Sequence, residues 1–150
     1  MFTNFQISAR AGIAGVIDPD AYAAGTYTTD WIDMRTWFWL MAVIMAGDMS
    51  ANGTIDAKIE QATTNTGTGA KDIVGLAIAQ LTKAGSDDNK QALINIGTED
   101  LDFNNGYRFV RLSLTVATAA SDAGAIVIGM DPRYGMPGGN DVASVDETVS

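Results

Sequence analysis

An antiparallel all-β sandwich, jelly-roll-like in form, is the fold this chain predicts, and three observations predict it. Residues 36–46 (TWFWLMAVIMA) run for eleven positions without a charge, a Gly or a Pro. At the two-residue period of a strand they offer two apolar faces, Trp37, Trp39, Met41, Val43 and Met45 on one and Phe38, Leu40, Ala42, Ile44 and Ala46 on the other. A strand of that kind is covered on both sides, by a facing sheet and by further chain or a second subunit. Apolar residues all round give no 3.6-residue stripe, which argues against a helix. The other two observations are the short alternating stretches elsewhere and the clusters of Gly, Thr, Asp and Asn that punctuate them.

Taken in order, residues 1–30 form an N-terminal arm or an edge strand around Ala11–Ile17, with a turn at Asp18-Pro19-Asp20. Trp31 leads into the central strand as a packing residue. Thr54–Ala62 alternates cleanly, with Ile55, Ala57 and Ile59 inward and Asp56, Lys58 and Glu60 outward. The Asn52-Gly53 pair before it predicts a hairpin, making 36–46 and 54–62 adjacent strands. Residues 63–69 read as a Thr/Gly surface loop, and 70–81 as a short helix or a pair of brief strands, because Gly75 and the β-branched residues weaken the helical spacing of Ile73, Ala77 and Leu81. Lys90–Ile96, Tyr107–Val116 and Ala125–Met130 complete the strands, the last stopped by Asp131-Pro132. One domain over 1–150 is expected, with a β-sandwich core at 31–134 and a mobile tail at 135–150.

The composition excludes more than it assigns. With no Cys there are no disulfides, thiolate metal sites or cysteine nucleophiles, and with no His the commonest zinc ligand and general base are missing. A non-enzymatic role follows as the expectation. A formal charge of −9, from 18 acidic and 9 basic residues, argues against partnership with nucleic acid or an anionic membrane. The longest apolar run is about half the ~20 residues of a membrane-spanning helix, and the start has no signal-like pattern.

Chemical motifs are weak. Asp100-Leu-Asp102-Phe-Asn104-Asn-Gly106 has the alternating oxygens of a calcium loop, yet Asn105 stands where the turn Gly belongs and Arg111 where the closing Glu belongs. A hairpin turn is the better reading. Gly67–Asp72 lacks phosphate-loop spacing, and Asp87-Asp88 reads as a solvated tip. Trp37 and Trp39, with Tyr107 and Phe109, have the rings for a sugar platform, but core or subunit packing accounts for them more simply. No cofactor, metal or catalytic residue is assigned. Phe2, Phe5, Ile13, Trp37, Trp39 and Met41 are the candidate subunit or capsid interface, because two indoles on one strand are bulky for a small interior.

Residues 28–134 also carry a resemblance. The Trp31 lead-in, the apolar strand, Asn52–Thr63, Gly67–Ile73, Gln80–Thr82, Glu99–Asp102 and Tyr107–Val116 resemble short β-rich virion proteins encoded among the head genes of tailed bacteriophages. The resemblance implies a capsid decoration (cement) protein, located on the capsid surface of the virion, that binds the major capsid protein of an HK97-type shell. It implies a homo-oligomer, a trimer by preference, that bridges capsid subunits through many modest contacts. A head–tail connector, tail or fibre component is the alternative, and a carbohydrate-binding sandwich the second alternative.

Overall fold

The computed structural model describes residues 7–134 and 144–149. Within them the strands are β1 (Ala11–Tyr22), β2 (Gly25–Thr28), β3 (Ile32–Asp33), β4 (Trp37–Met49), β5 (Thr54–Ala62), β6 (Lys71–Ala77), β7 (Leu81–Thr82), β8 (Gln91–Gly97), β9 (Phe109–Ala117) and β10 (Ser121–Pro132). They form two antiparallel sheets. Sheet A has the order β1-β10-β4-β8 and sheet B the order β2-β9-β5-β6, with β3 also on β9 and β7 also on β5. Counting β2 with β3 and β6 with β7, eight strands pass between the sheets in the order of a jelly roll.

The central strand sits where its two apolar faces require. β4 has a neighbour on each side in sheet A, pairing Ile44 with Ala125 of β10 and with Ala92 of β8. Its inward residues Leu40, Ala42, Ile44 and Ala46 are buried, as are Ile55, Ala57 and Ile59 of β5 and Val110, Leu112, Leu114 and Val116 of β9 across the core. Sheet A lines much of its inner side with small residues, Ala42, Ala46, Ala123 and Ala125, and sheet B with large ones, the alternation that lets two sheets pack closely.

Two sequence expectations change, the Asn52-Gly53 hairpin and the Asp87-Asp88 tip, and two open alternatives, at 70–81 and at 11–22, are decided. The Asn52-Gly53 turn, with Asn52 at φ 65°, does not make a hairpin: β5 pairs with β9, β6 and β7, so the turn carries the chain from sheet A to sheet B. The physical reason is that the inner faces of 36–46 and 54–62 both need the core, and placing the strands opposite one another buries both. Residues 70–81 resolve into strands β6 and β7, with Gly75 at φ 88°, a backbone no helix accommodates. Residues 11–22 are an edge strand on β10, and of the proposed arm only residues 1–6 lie outside the described residues. Asp87-Asp88 is no solvated tip: Asp88 accepts the Met49 N–H at 2.8 Å and the Lys83 ammonium at 2.8 Å, while Asp87 accepts the Thr82 N–H at 2.9 Å and the Lys90 ammonium at 3.1 Å.

That loop fixes the start of β8 to the end of β4, and its carboxylates carry a pH signature. The Thr82 amide and then Lys90 hold the Asp87 carboxyl below its usual range; Lys83 and then the Met49 amide do the same for Asp88. A depressed carboxylate contributes stability that is complete above its unfolded value of about 4 and is lost as pH falls through the lower folded value. Thermal melts from about pH 6 down to about pH 2, about two units either side of the unfolded value of about 4, should show the midpoint falling below about pH 4, and Asp88→Asn should flatten that fall. A midpoint with the same acid slope in Asp88→Asn would reject this role.

Candidate functional site

The two sheets turn opposite chemistry to their outer sides. On sheet B, Glu60 pairs across strands with Arg111 at 2.7 Å, Lys58 with Asp72 at 2.7 Å, and Thr26 with Thr115 at 3.0 Å, an ordinary polar face. On sheet A the outer positions form rows of apolar side chains. Ala11, Met130 and Trp39 stand in one row, Ile13, Ile128 and Met41 in the next, and Val16, Ile126, Val43 and Leu93 in a third, with Met45 beyond. No charged residue occupies these rows. Trp39 is 48% exposed, Met130 43%, Met45 37% and Leu93 59%, so the face is open to solvent on its β4–β8 side.

The rim is polar. Arg10 and Asp131 pair at 2.8 Å at one end, Asp20 and Asp122 stand at the other, and Gln91 and Asn95 flank Leu93 on the outer side of β8. At the β1 side, Val145 and Thr148 line a shallow groove with Ile7, Ala11, Ile13 and Ile128, so the described C-terminal residues lie beside that margin and leave the β4–β8 half open. Four strands, three to four spacings of about 4.8 Å, by seven residues at about 3.4 Å each give a face of about 340–460 Å², about 400 Å² at the middle of that range. The largest apolar patch on a monomer is about 300–600 Å² and is commonly a working surface.

The structure divides the residues singled out from sequence. Trp39 and Met41 lie on this face, in adjacent rows, and Ile13 lies on it at the β1 side. Trp37 does not: it is 1% exposed, its indole covering Gly129 inside the sandwich. The alternation breaks at the start of β4, where Trp37 is buried and both Phe38 and Trp39 are exposed. Phe38 is covered on one side by the Arg133 guanidinium, 4.0 Å from the ring centre. Phe2 and Phe5 lie outside the described residues. Sequence reasoning missed Leu93, Met130, Ile126 and Ile128; the alternation of 125–130 and 90–96 held the signal, but which sheet those strands joined was needed to see it.

The sugar platform is not assembled. Phe109 is buried in sheet B, and Tyr107 sits by the 63–69 loop, its hydroxyl donating to the Gly69 carbonyl at 3.0 Å and its ring under Lys71 at 4.1 Å. Trp31 packs beneath that same loop, against Gly67, with Arg111 4.5 Å over its ring. The calcium-like stretch is two short 3-10 turns, Thr98–Asp100 and Phe103–Asn105, whose carboxylates take N–H donors: Asp100 from Gly97, Asp102 from Lys71 and Asn105. Lys71 and then Asn105 depress the Asp102 carboxyl. Among the described residues no group of three acidic side chains is placed to hold a metal ion, and no helix is long and apolar enough to cross a membrane.

No protein-family model matches the chain, and no curated protein matches it. Among solved structures, the infectious bursal disease virus structures of the Gt and Gx strains are similar at 12% and 14% identity, each with a TM-score of 0.44, over 83% and 84% of this chain. The VP2 subviral particle of that virus aligns at 16% identity and a TM-score of 0.32 over 83% of this chain. This chain spans about one third of the length of the first two, 32% and 33%. A likeness at that level carries no statement about function.

Proposed function

We propose that this chain is a virion structural protein, a capsid decoration protein that docks through the outer face of sheet A on the major capsid protein and stabilises the shell by bridging its subunits. The observation that carries the reading is the contrast between the two outer faces: in a chain of net charge −9, one sheet exposes ion pairs and the other exposes uncharged rows centred on Trp39, Met41 and Val43. The resemblance of residues 28–134 supplies the class of partner.

The magnitudes favour many copies over one tight contact. Burying about 400 Å² at about 25 cal/mol per Å² yields about 10 kcal/mol before association costs, which are themselves about 4–15 kcal/mol. A single contact of this size is weak, and an array on a shell sums many.

The test is co-sedimentation of purified protein with undecorated phage capsids. Wild type should pellet with the particles, and Met41→Lys, which puts an ammonium in the middle of the face, should lower occupancy by at least about tenfold, the 1.4 kcal/mol or more that stranding a charge costs. Equal occupancy by Met41→Lys would end the proposal. Copy number by quantitative mass spectrometry of purified particles separates the positions: hundreds of copies mean a shell protein, a dozen or fewer a connector, tail or fibre part.

A further inference from the structure

Two antiparallel sheets have four edges, and three of them here are guarded. β1 is interrupted by register shifts between Ile13 and Gly15 and between Ile17 and Asp20, carries Pro19, and has Val145 and Thr148 along its flank. β2 is four residues long. β6 carries Lys71 and Asp72 and is broken by a register shift and by Gly75 in a left-handed conformation. These are the devices by which sheet edges avoid pairing with other chains.

β8 has none of them. It runs seven residues in unbroken register with β4, from Gln91 opposite Met45 to Gly97 opposite Trp39, and contains no charge and no Pro. Among the described residues no strand pairs with its other side. Its outer side chain Leu93 continues the apolar face of sheet A to the edge.

The charges that bracket β8 say what fits. Lys90 precedes it, exposed, and Glu99 and Asp100 follow it, exposed; none lies between. We propose that β8 pairs antiparallel with β8 of a second copy about a two-fold axis near Ile94. That arrangement sets Lys90 of each copy beside the Thr98–Asp100 turn of the other, at both ends of the seam. A parallel pairing would set like charges together. Lys90 already reaches Asp87 at 3.1 Å, and an ammonium has further N–H groups for a second acceptor. The result is a continuous eight-stranded sheet, with the apolar outer face doubled to about 800 Å², and an isologous dimer in place of the trimer that the resemblance implies.

This inference stands apart from the virion reading, and its test needs no capsid. Sedimentation velocity and light scattering of the full chain over a concentration series should show a monomer–dimer equilibrium. Leu93→Lys, at an exposed position with no core contact to lose, should shift it to monomer. Lys90→Glu should weaken the dimer by about two- to thirtyfold, two rim pairs at about 0.2–1 kcal/mol each, and the double change Lys90→Glu with Glu99→Lys should restore it. Met41→Lys, one strand in from the edge, should leave the dimer intact. Far-ultraviolet circular dichroism checks the fold of each variant. A monomer at every concentration, a trimer, a dimer broken by Met41→Lys but kept in Leu93→Lys, or a charge swap that fails to restore association would each overturn the proposal.

Discussion

Trp37→Ala and Trp39→Ala, two residues apart on one strand, should behave as different kinds of mutation. Trp37 is 1% exposed and its indole covers Gly129 of β10 inside the sandwich, so its truncation leaves a void the size of an indole and should cost about 3–5 kcal/mol. For a chain of this length that lowers the melting midpoint by on the order of 10 °C. Trp39 is 48% exposed on the outer face, and its truncation should change stability by less than about 0.5 kcal/mol. Its effect should appear in capsid occupancy instead. Thermal denaturation together with co-sedimentation separates the two, and a Trp39→Ala variant that melts like Trp37→Ala would remove Trp39 from the docking surface.

Gly129→Ala should be nearly as damaging, through a single methyl group. A Cβ at Gly129 would fall within the indole of Trp37, and the nearest atoms are ring carbons with no free end to swing away. The backbone at Gly129 is ordinary, so the cost is steric. It should reach about 3 kcal/mol, the upper part of what overpacking costs in a core. If that contact is the cause, Trp37→Leu should make room, and the double variant should be more stable than the sum of the two single changes by about 0.5–3 kcal/mol. Chemical denaturation of the four proteins in the cycle measures this directly, and additivity would place the damage elsewhere.

The fold class was legible because period-two alternation survives any tertiary arrangement. Ile55, Ala57 and Ile59 point inward wherever β5 is placed, and so do Val110, Leu112, Leu114 and Val116. What could not be read was which strand stands beside which. Asn52-Gly53 favours a tight reversal by its own geometry, but a reversal serves equally for a hairpin and for a passage between sheets, and burial of both inner faces decided for the second. The candidate face inherited the same blindness. Trp39 and Met41 were identifiable from β4 alone, whereas Ile126, Ile128, Met130 and Leu93 became part of it only once β10 and β8 were known to flank β4. Trp37 was placed with Trp39 because strict alternation demands it, and the irregular start of β4 turned it inward.

Both neighbours of β4 come later in the chain, and this bears on how the protein is made. β4 ends at Met49 and β10 ends at Pro132, 132 − 49 = 83 residues on. At translation rates of about 5–20 residues per second, the most water-averse segment of the chain waits on the order of ten seconds on the ribosome before the strand that shelters it has emerged. A nascent polypeptide in that condition is a substrate for holding chaperones, and yield in the host should depend on them more steeply than the finished protein's own stability would suggest.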